Sequence, residues 1–82
     1  FGKSLAHHEI QRYLKKQIDD LELEKKIGQR RGDVVWEREK IVFEIQISSI
    51  KLEEAQNRID DYAKLGYRVV WILHDRVFNG RT

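Results

Sequence analysis

The chain has 82 residues, enough for one domain, and a chain of this size buries only about 60–65% of its unfolded surface. With 37% charged and 40% hydrophobic residues and a net charge of +2, it is neither a disordered chain nor a broadly basic nucleic-acid binder. The absence of cysteine excludes disulfides and thiolate metal sites and fits a reducing cytoplasm, and no apolar run approaches the roughly 20 residues of a membrane span.

Ser4 is a helix-capping residue, and Leu5, Ile10, Tyr13, Leu14 and Ile18 follow it at offsets that share one helical face. The spacing predicts a first helix over 5–18. Leu21, Leu23, Lys25 and Ile27 then alternate with Glu22, Glu24 and Lys26, the period of a half-buried strand, and Gly28 closes it. A second strand is expected over 32–36 and a third over 40–47. The Val34-Val35-Trp36 and Ile41-Val42-Phe43 runs flank a short polar turn, Glu37-Arg38-Glu39, so these strands form an antiparallel hairpin. Ser48 or Ser49 offers a second helix cap, and Glu53 and Glu54 suit a first helical turn. Leu52, Ala55, Ile59, Tyr62, Ala63 and Leu65 form an apolar stripe, which predicts a helix over 50–65 that stops at Gly66. The last run, Val69-Val70-Trp71-Ile72-Leu73, reads as a strand buried on both faces. A strand–helix–strand crossover of this length makes strands three and four parallel. The expected fold is α/β in the order α-β-β-β-α-β, a mixed four-stranded sheet flanked by helices, in one domain over 1–82.

There is no proline, repeat or low-complexity tract, and no signal-peptide pattern opens the chain. The chain starts at Phe1 and lacks methionine, so a piece of a longer protein is expected. Residues 1–32 carry 8 Lys/Arg against 5 Asp/Glu, a balance of +3, whereas residues 33–82 carry 8 against 9. A mildly basic first half beside an acidic centre suits a metal site facing phosphates, and equally a solvated surface.

Asp33 opens strand two beside Arg30, Arg31 and Gly32. Glu44 lies mid-strand in Ile41-Val42-Phe43-Glu44-Ile45-Gln46-Ile47, and Gln46, two residues on, shares its face. A carboxylate inside an apolar strand costs several kcal/mol unless something compensates. A divalent cation is one compensator, with Asp33 as second ligand. A solvent-facing sheet surface is the other reading, and composition leaves both open. Two oxygen donors completed by water and phosphate would select Mg²⁺ or Mn²⁺ over zinc.

Asp33, ten intervening residues and Glu44-x-Gln46, in this element order, resemble the PD-(D/E)XK nuclease superfamily with its restriction-endonuclease-like core. The closer likeness is to the nuclease domain of CoiA-like competence proteins. It rests on Arg30-Arg31-Gly32-Asp33-Val34-Val35, Phe43-Glu44-Ile45-Gln46-Ile47-Ser48, Arg58, Tyr62, Leu65-Gly66 and Val70-Trp71-Ile72-Leu73, and spans Glu9 to Leu73.

The resemblance implies a Mg²⁺- or Mn²⁺-dependent, cytoplasmic deoxyribonuclease acting on DNA uptake, recombination or repair. A catalytically inactive nucleic-acid-binding module of the same fold is the alternative. Asp33 and Glu44 would hold the metal, with the Ile45 carbonyl completing the shell. Gln46 replaces the usual lysine and would position water without supplying charge. Lys51 is a candidate for supplying that cation from a shifted position. Glu9 matches a helix-1 acid aimed at the metal, or is a solvated charge. His7 and His8 diverge by about 100° on a helix and cannot chelate one ion together, so a surface or packing role is expected for both, with an approach to a phosphate as the alternative for His8. Arg58 and Tyr62, four apart, share a helix face and either contact the phosphate or pack in the core. Arg30 and Arg31 suit phosphate contacts. DNA is the expected partner, with a homodimer plausible for so small a nuclease.

Overall fold

The computed structural model describes residues 5–73; Ser4, the expected helix cap, lies outside them. The order is α1 (Leu5–Gln17), β1 (Glu22–Ile27), β2 (Arg30–Trp36), β3 (Ile41–Gln46), α2 (Leu52–Lys64) and β4 (Arg68–Leu73), as expected. The sheet runs β1-β2-β3-β4. β1 and β3 flank β2 antiparallel, and β4 joins β3 in parallel, with Ile41 opposite Arg68 and Gln46 opposite Leu73.

The sheet has a core on each face. Leu21, Val34 and Ile45 pack with Ile10, Leu14 and Ile18 beneath α1, while Ile27, Val35 and Val42 pack with Tyr62 of α2. Leu21 and Ile27 are six residues apart, an even spacing that in a regular strand keeps both on one face. They lie in opposite cores because Glu24, between them, takes a left-handed conformation with φ 53°. Leu23, read as buried, is exposed.

Two tight connections hold the strands in place. At the β1–β2 turn Gly28 has φ 61°, and a Cβ there would meet Leu65 Cδ1 at 2.7 Å. At the β2–β3 turn the Lys40 N–H donates to the Glu37 carbonyl at 3.2 Å, and Lys40 takes φ 56°. A turn without Gly or Asn thus closes by placing a lysine in the left-handed region. α2 ends as expected at Gly66, whose φ is 89°. The Tyr67 N–H reaches the Tyr62 carbonyl and the Gly66 N–H reaches that of Ala63, both at 3.0 Å, which together make a Schellman stop.

Other expectations are corrected. Neither Ser48 nor Ser49 caps α2; Lys51 is its N-cap residue, without a side-chain cap. Leu5, Tyr13, Leu52, Ala63 and Leu65 stand exposed, so each helix buries a narrower stripe than its apolar residues suggested. β4 is not covered on both faces: it is an edge strand, and Val70 and Leu73 are exposed.

Candidate metal and phosphate site

The β2–β3 ladder pairs Trp36 with Ile41, Val35 with Val42 and Val34 with Phe43. The next pair in that register is Asp33 and Glu44. There the backbones no longer bond each other, and the side chains take over. The Ile45 N–H donates to Asp33 Oδ2 at 2.8 Å, and the Asp33 N–H donates to Glu44 Oε2 at 3.4 Å. Both carboxylates are buried, 6% exposed for Asp33 and 3% for Glu44, so Glu44 is not on a solvent face.

A pocket of about 380 Å³ opens over this pair, lined by His7, Gln29, Arg30, Arg31, Asp33, Glu44, Ile45, Gln46, Arg58 and Tyr62. Burial raises the pKa of Glu44, and the charge of Asp33 adds to the rise. Arg58 offsets part of it through Nη1, 2.9 Å from Glu44 Oε1. Burial opposes the charge on Arg58 as well, but hydrogen bonds and charge from Glu54 and Glu44 win, and its pKa is raised. The Tyr62 hydroxyl lies 3.3 Å from Glu44 Oε2, and burial, then the Glu44 charge, push that phenol upward. Tyr62 therefore both packs in the core and touches the site.

The pocket collects Asp33, Glu44, Ile45, Gln46, Arg30, Arg31, Arg58 and Tyr62 of the residues singled out from the sequence. Gln46 Nε2 donates to the Ser48 carbonyl at 2.7 Å. Arg30 is engaged by Asp61 at 2.8 Å and Glu54 at 3.4 Å. Arg31 Nη1 donates to the Glu24 carbonyl at 3.4 Å. Two expected residues are not brought in. Glu9 is exposed and lines a separate hollow with Arg12, Tyr13 and Leu23, because the turn of α1 that faces Asp33 carries His7. Lys51 is exposed and does not line the pocket.

Of the surface or packing role expected for it, the structure selects packing for His7. It is buried, with Nε2 3.3 Å from Asp33 Oδ1. Gln11, one turn on, is buried too; its Nε2 donates to Glu24 Oε2 at 2.7 Å and to the Asp33 carbonyl at 2.9 Å. The available signal was spacing, since His7, Gln11, Leu14 and Ile18 make one stripe at helical offsets.

Asp33 and Glu44 suit a divalent cation. Burial first, and then the charge of Asp33, raise the Glu44 pKa, and a cation between the two carboxylates would relieve both costs.

A sequence model of the family described as competence protein CoiA, nuclease-like domain, matches residues 4–82. No curated protein and no solved structure matches the chain.

Proposed function

The chain belongs to the nuclease-like domain family of competence protein CoiA, and from that premise we propose that it is a metal-dependent deoxyribonuclease of the PD-(D/E)XK type, hydrolysing phosphodiester bonds in DNA during uptake, recombination or repair in the cytoplasm. The observation that carries the proposal is the buried Asp33–Glu44 pair at the end of the β2–β3 ladder, beneath a pocket rimmed by arginines.

Asp33 and Glu44 would hold Mg²⁺ or Mn²⁺, with the Ile45 carbonyl as a further donor. When bound, the ion lowers the pKa of a water and neutralises charge on the phosphate. The protein's own groups do the rest. Arg31, exposed at the rim, meets the phosphate backbone. Arg58 stands beside Glu44 and would offset negative charge developing on the scissile phosphate. The bond from Gln46 Nε2 to the Ser48 carbonyl fixes the amide and leaves its oxygen to accept a hydrogen bond from the attacking water.

A second reading, a nucleic-acid-binding module without catalysis, draws on that same bond. Gln46 brings no charge, and one of its two amide hydrogens is already used on Ser48. A cleavage assay separates the two. Single-stranded, duplex and branched DNA are incubated with Mg²⁺ or Mn²⁺, with Asp33→Ala and Glu44→Ala as controls. Cleavage lost in both variants supports the nuclease. Binding without cleavage by the unaltered protein, across metals and substrates, supports the module. Cleavage retained in both variants overturns the site.

A further inference from the structure

We infer that Glu54 is a positioning residue: its carboxylate holds the Arg58 guanidinium at Glu44, where it can meet a phosphate in the pocket. This role rests on the nuclease reading, in which Arg58 faces the scissile phosphate.

Arg58 and Asp61 follow Glu54 by four and seven residues on α2, so the three share one helical face. Arg30 of β2 lies against that face. A single oxygen, Glu54 Oε2, accepts from Arg58 Nε at 2.9 Å and from Arg30 Nη1 at 3.4 Å. Asp61 Oδ2 accepts from Arg30 Nε at 2.8 Å. Arg30 is therefore engaged by two carboxylates of α2, and it braces Glu54 from the sheet side. Arg58 is the arginine left to act on a phosphate.

An arginine side chain is long and gives up much rotamer freedom when it is ordered. Arg58 is fixed at two points, with Nε on Glu54 Oε2 and Nη1 on Glu44 Oε1, both at 2.9 Å. Those bonds set the plane of the guanidinium and leave Nη2 to donate to a phosphate oxygen. Glu44 has a proposed duty to the metal, so the bond to Glu54 is the one that can hold Arg58 throughout.

Two ordinary roles for Glu54 can be told apart from this one. Its side chain is 41% exposed, and an ion pair of that exposure adds little to stability. An acid in the first turn also favours the helix N-terminus. Glu53 stands in the same turn, exposed and about 100° around the helix, and so controls for that effect.

The test measures Mg²⁺-dependent cleavage and fluorescence-anisotropy affinity on duplex DNA. The proteins are the unaltered chain, Glu53→Ala, Glu54→Ala, Glu54→Gln, Arg58→Ala and the double variant Glu54→Ala/Arg58→Ala, each checked by thermal melting. Glu54→Ala should lower the cleavage rate by about tenfold or more while melting close to Glu53→Ala. Glu54→Gln keeps an oxygen for Arg58 Nε and should restore most of the rate. In the Arg58→Ala background, Glu54→Ala should cost nothing further. Full cleavage by Glu54→Ala, an equal loss in Glu53→Ala, or losses that multiply in the double variant overturn the inference. If the unaltered protein cuts no DNA, the nuclease reading fails on its own, and the same cycle is read from affinity. Losses that do not add then keep the positioning role, and independent losses overturn it.

Discussion

The backbone N–H of Ile45 is bonded to Oδ2 of Asp33 at 2.8 Å, so a side chain continues the β2–β3 ladder where the main chain leaves it. Asp33 thus has a structural duty besides its proposed metal duty, and two substitutions separate them. Asp33→Asn keeps an oxygen to accept from Ile45. It should remove Mg²⁺-dependent cleavage while shifting the melting temperature by only a few degrees. Asp33→Ala leaves that buried N–H without its acceptor, at a cost of about 1–3 kcal/mol. Thermal melts beside cleavage assays check both.

Glu44 should cost the metal-free protein stability. Its folded pKa lies above the ordinary 4.5, through burial and the Asp33 charge, so the folded chain holds this proton more tightly than the unfolded one. Stability from this group is therefore full below pH 4.5 and lost as pH rises through the raised value. Glu44→Gln should melt higher than the unaltered protein at pH 7, with the gap closing towards pH 4. A gain of ~1 kcal/mol corresponds to about 4–8 °C in a domain this small. Melts across pH 4–8 without divalent ions measure it.

Glu37 should act with the opposite sign. Its hydrogen bonds from Lys40, then Tyr67, lower its pKa to about 2. Its contribution is present above the ordinary 4.5 and fades as pH falls towards 2. The group is solvated, so the effect is small. Glu37→Gln should melt slightly below the unaltered protein at pH 7 and match it near pH 2. Paired acid titrations followed by circular dichroism test this.

Gly28→Ala should destabilise the β1–β2 turn. The backbone there has φ 61°, and the new methyl would sit 2.7 Å from Leu65 Cδ1. A side chain in the left-handed region costs roughly 1–2 kcal/mol. The contact with Leu65 adds less, because the end of that exposed side chain can turn away. Adding Leu65→Ala should recover the steric share only, leaving the double variant between the other two in urea unfolding.

The element order and the Asp33–Glu44 pairing were legible because both follow from the apolar runs Val34-Val35-Trp36 and Ile41-Val42-Phe43 and the short turn between them. β1 was misread where one residue breaks its period. Glu24 turns left-handed, and the strand changes faces there in a way composition does not encode. The covering of β4 was misread for another reason. An apolar run says that a strand has β propensity on both sides, but the elements packed on the sheet decide which residues are covered, and Val70 and Leu73 stay exposed. His7, Gln11 and Glu24 passed as ordinary polar residues because each is polar at a position where helix or strand surfaces usually are. Only the packing of α1 onto β1 and β2 brings them together.

The turn at Glu37–Lys40 sets which faces of β3 meet which helix. Val42, Glu44 and Gln46 alternate with Phe43, Ile45 and Ile47, and Val35 is opposite Val42. A slip of one residue along β2 would turn the Glu44 and Gln46 side chains towards α1 and those of Phe43 and Ile45 towards α2. The left-handed Lys40, whose carbonyl also accepts from the Arg68 N–H at 2.9 Å, therefore works as an index mark. An insertion in that loop would separate Asp33 from Glu44 without touching either residue.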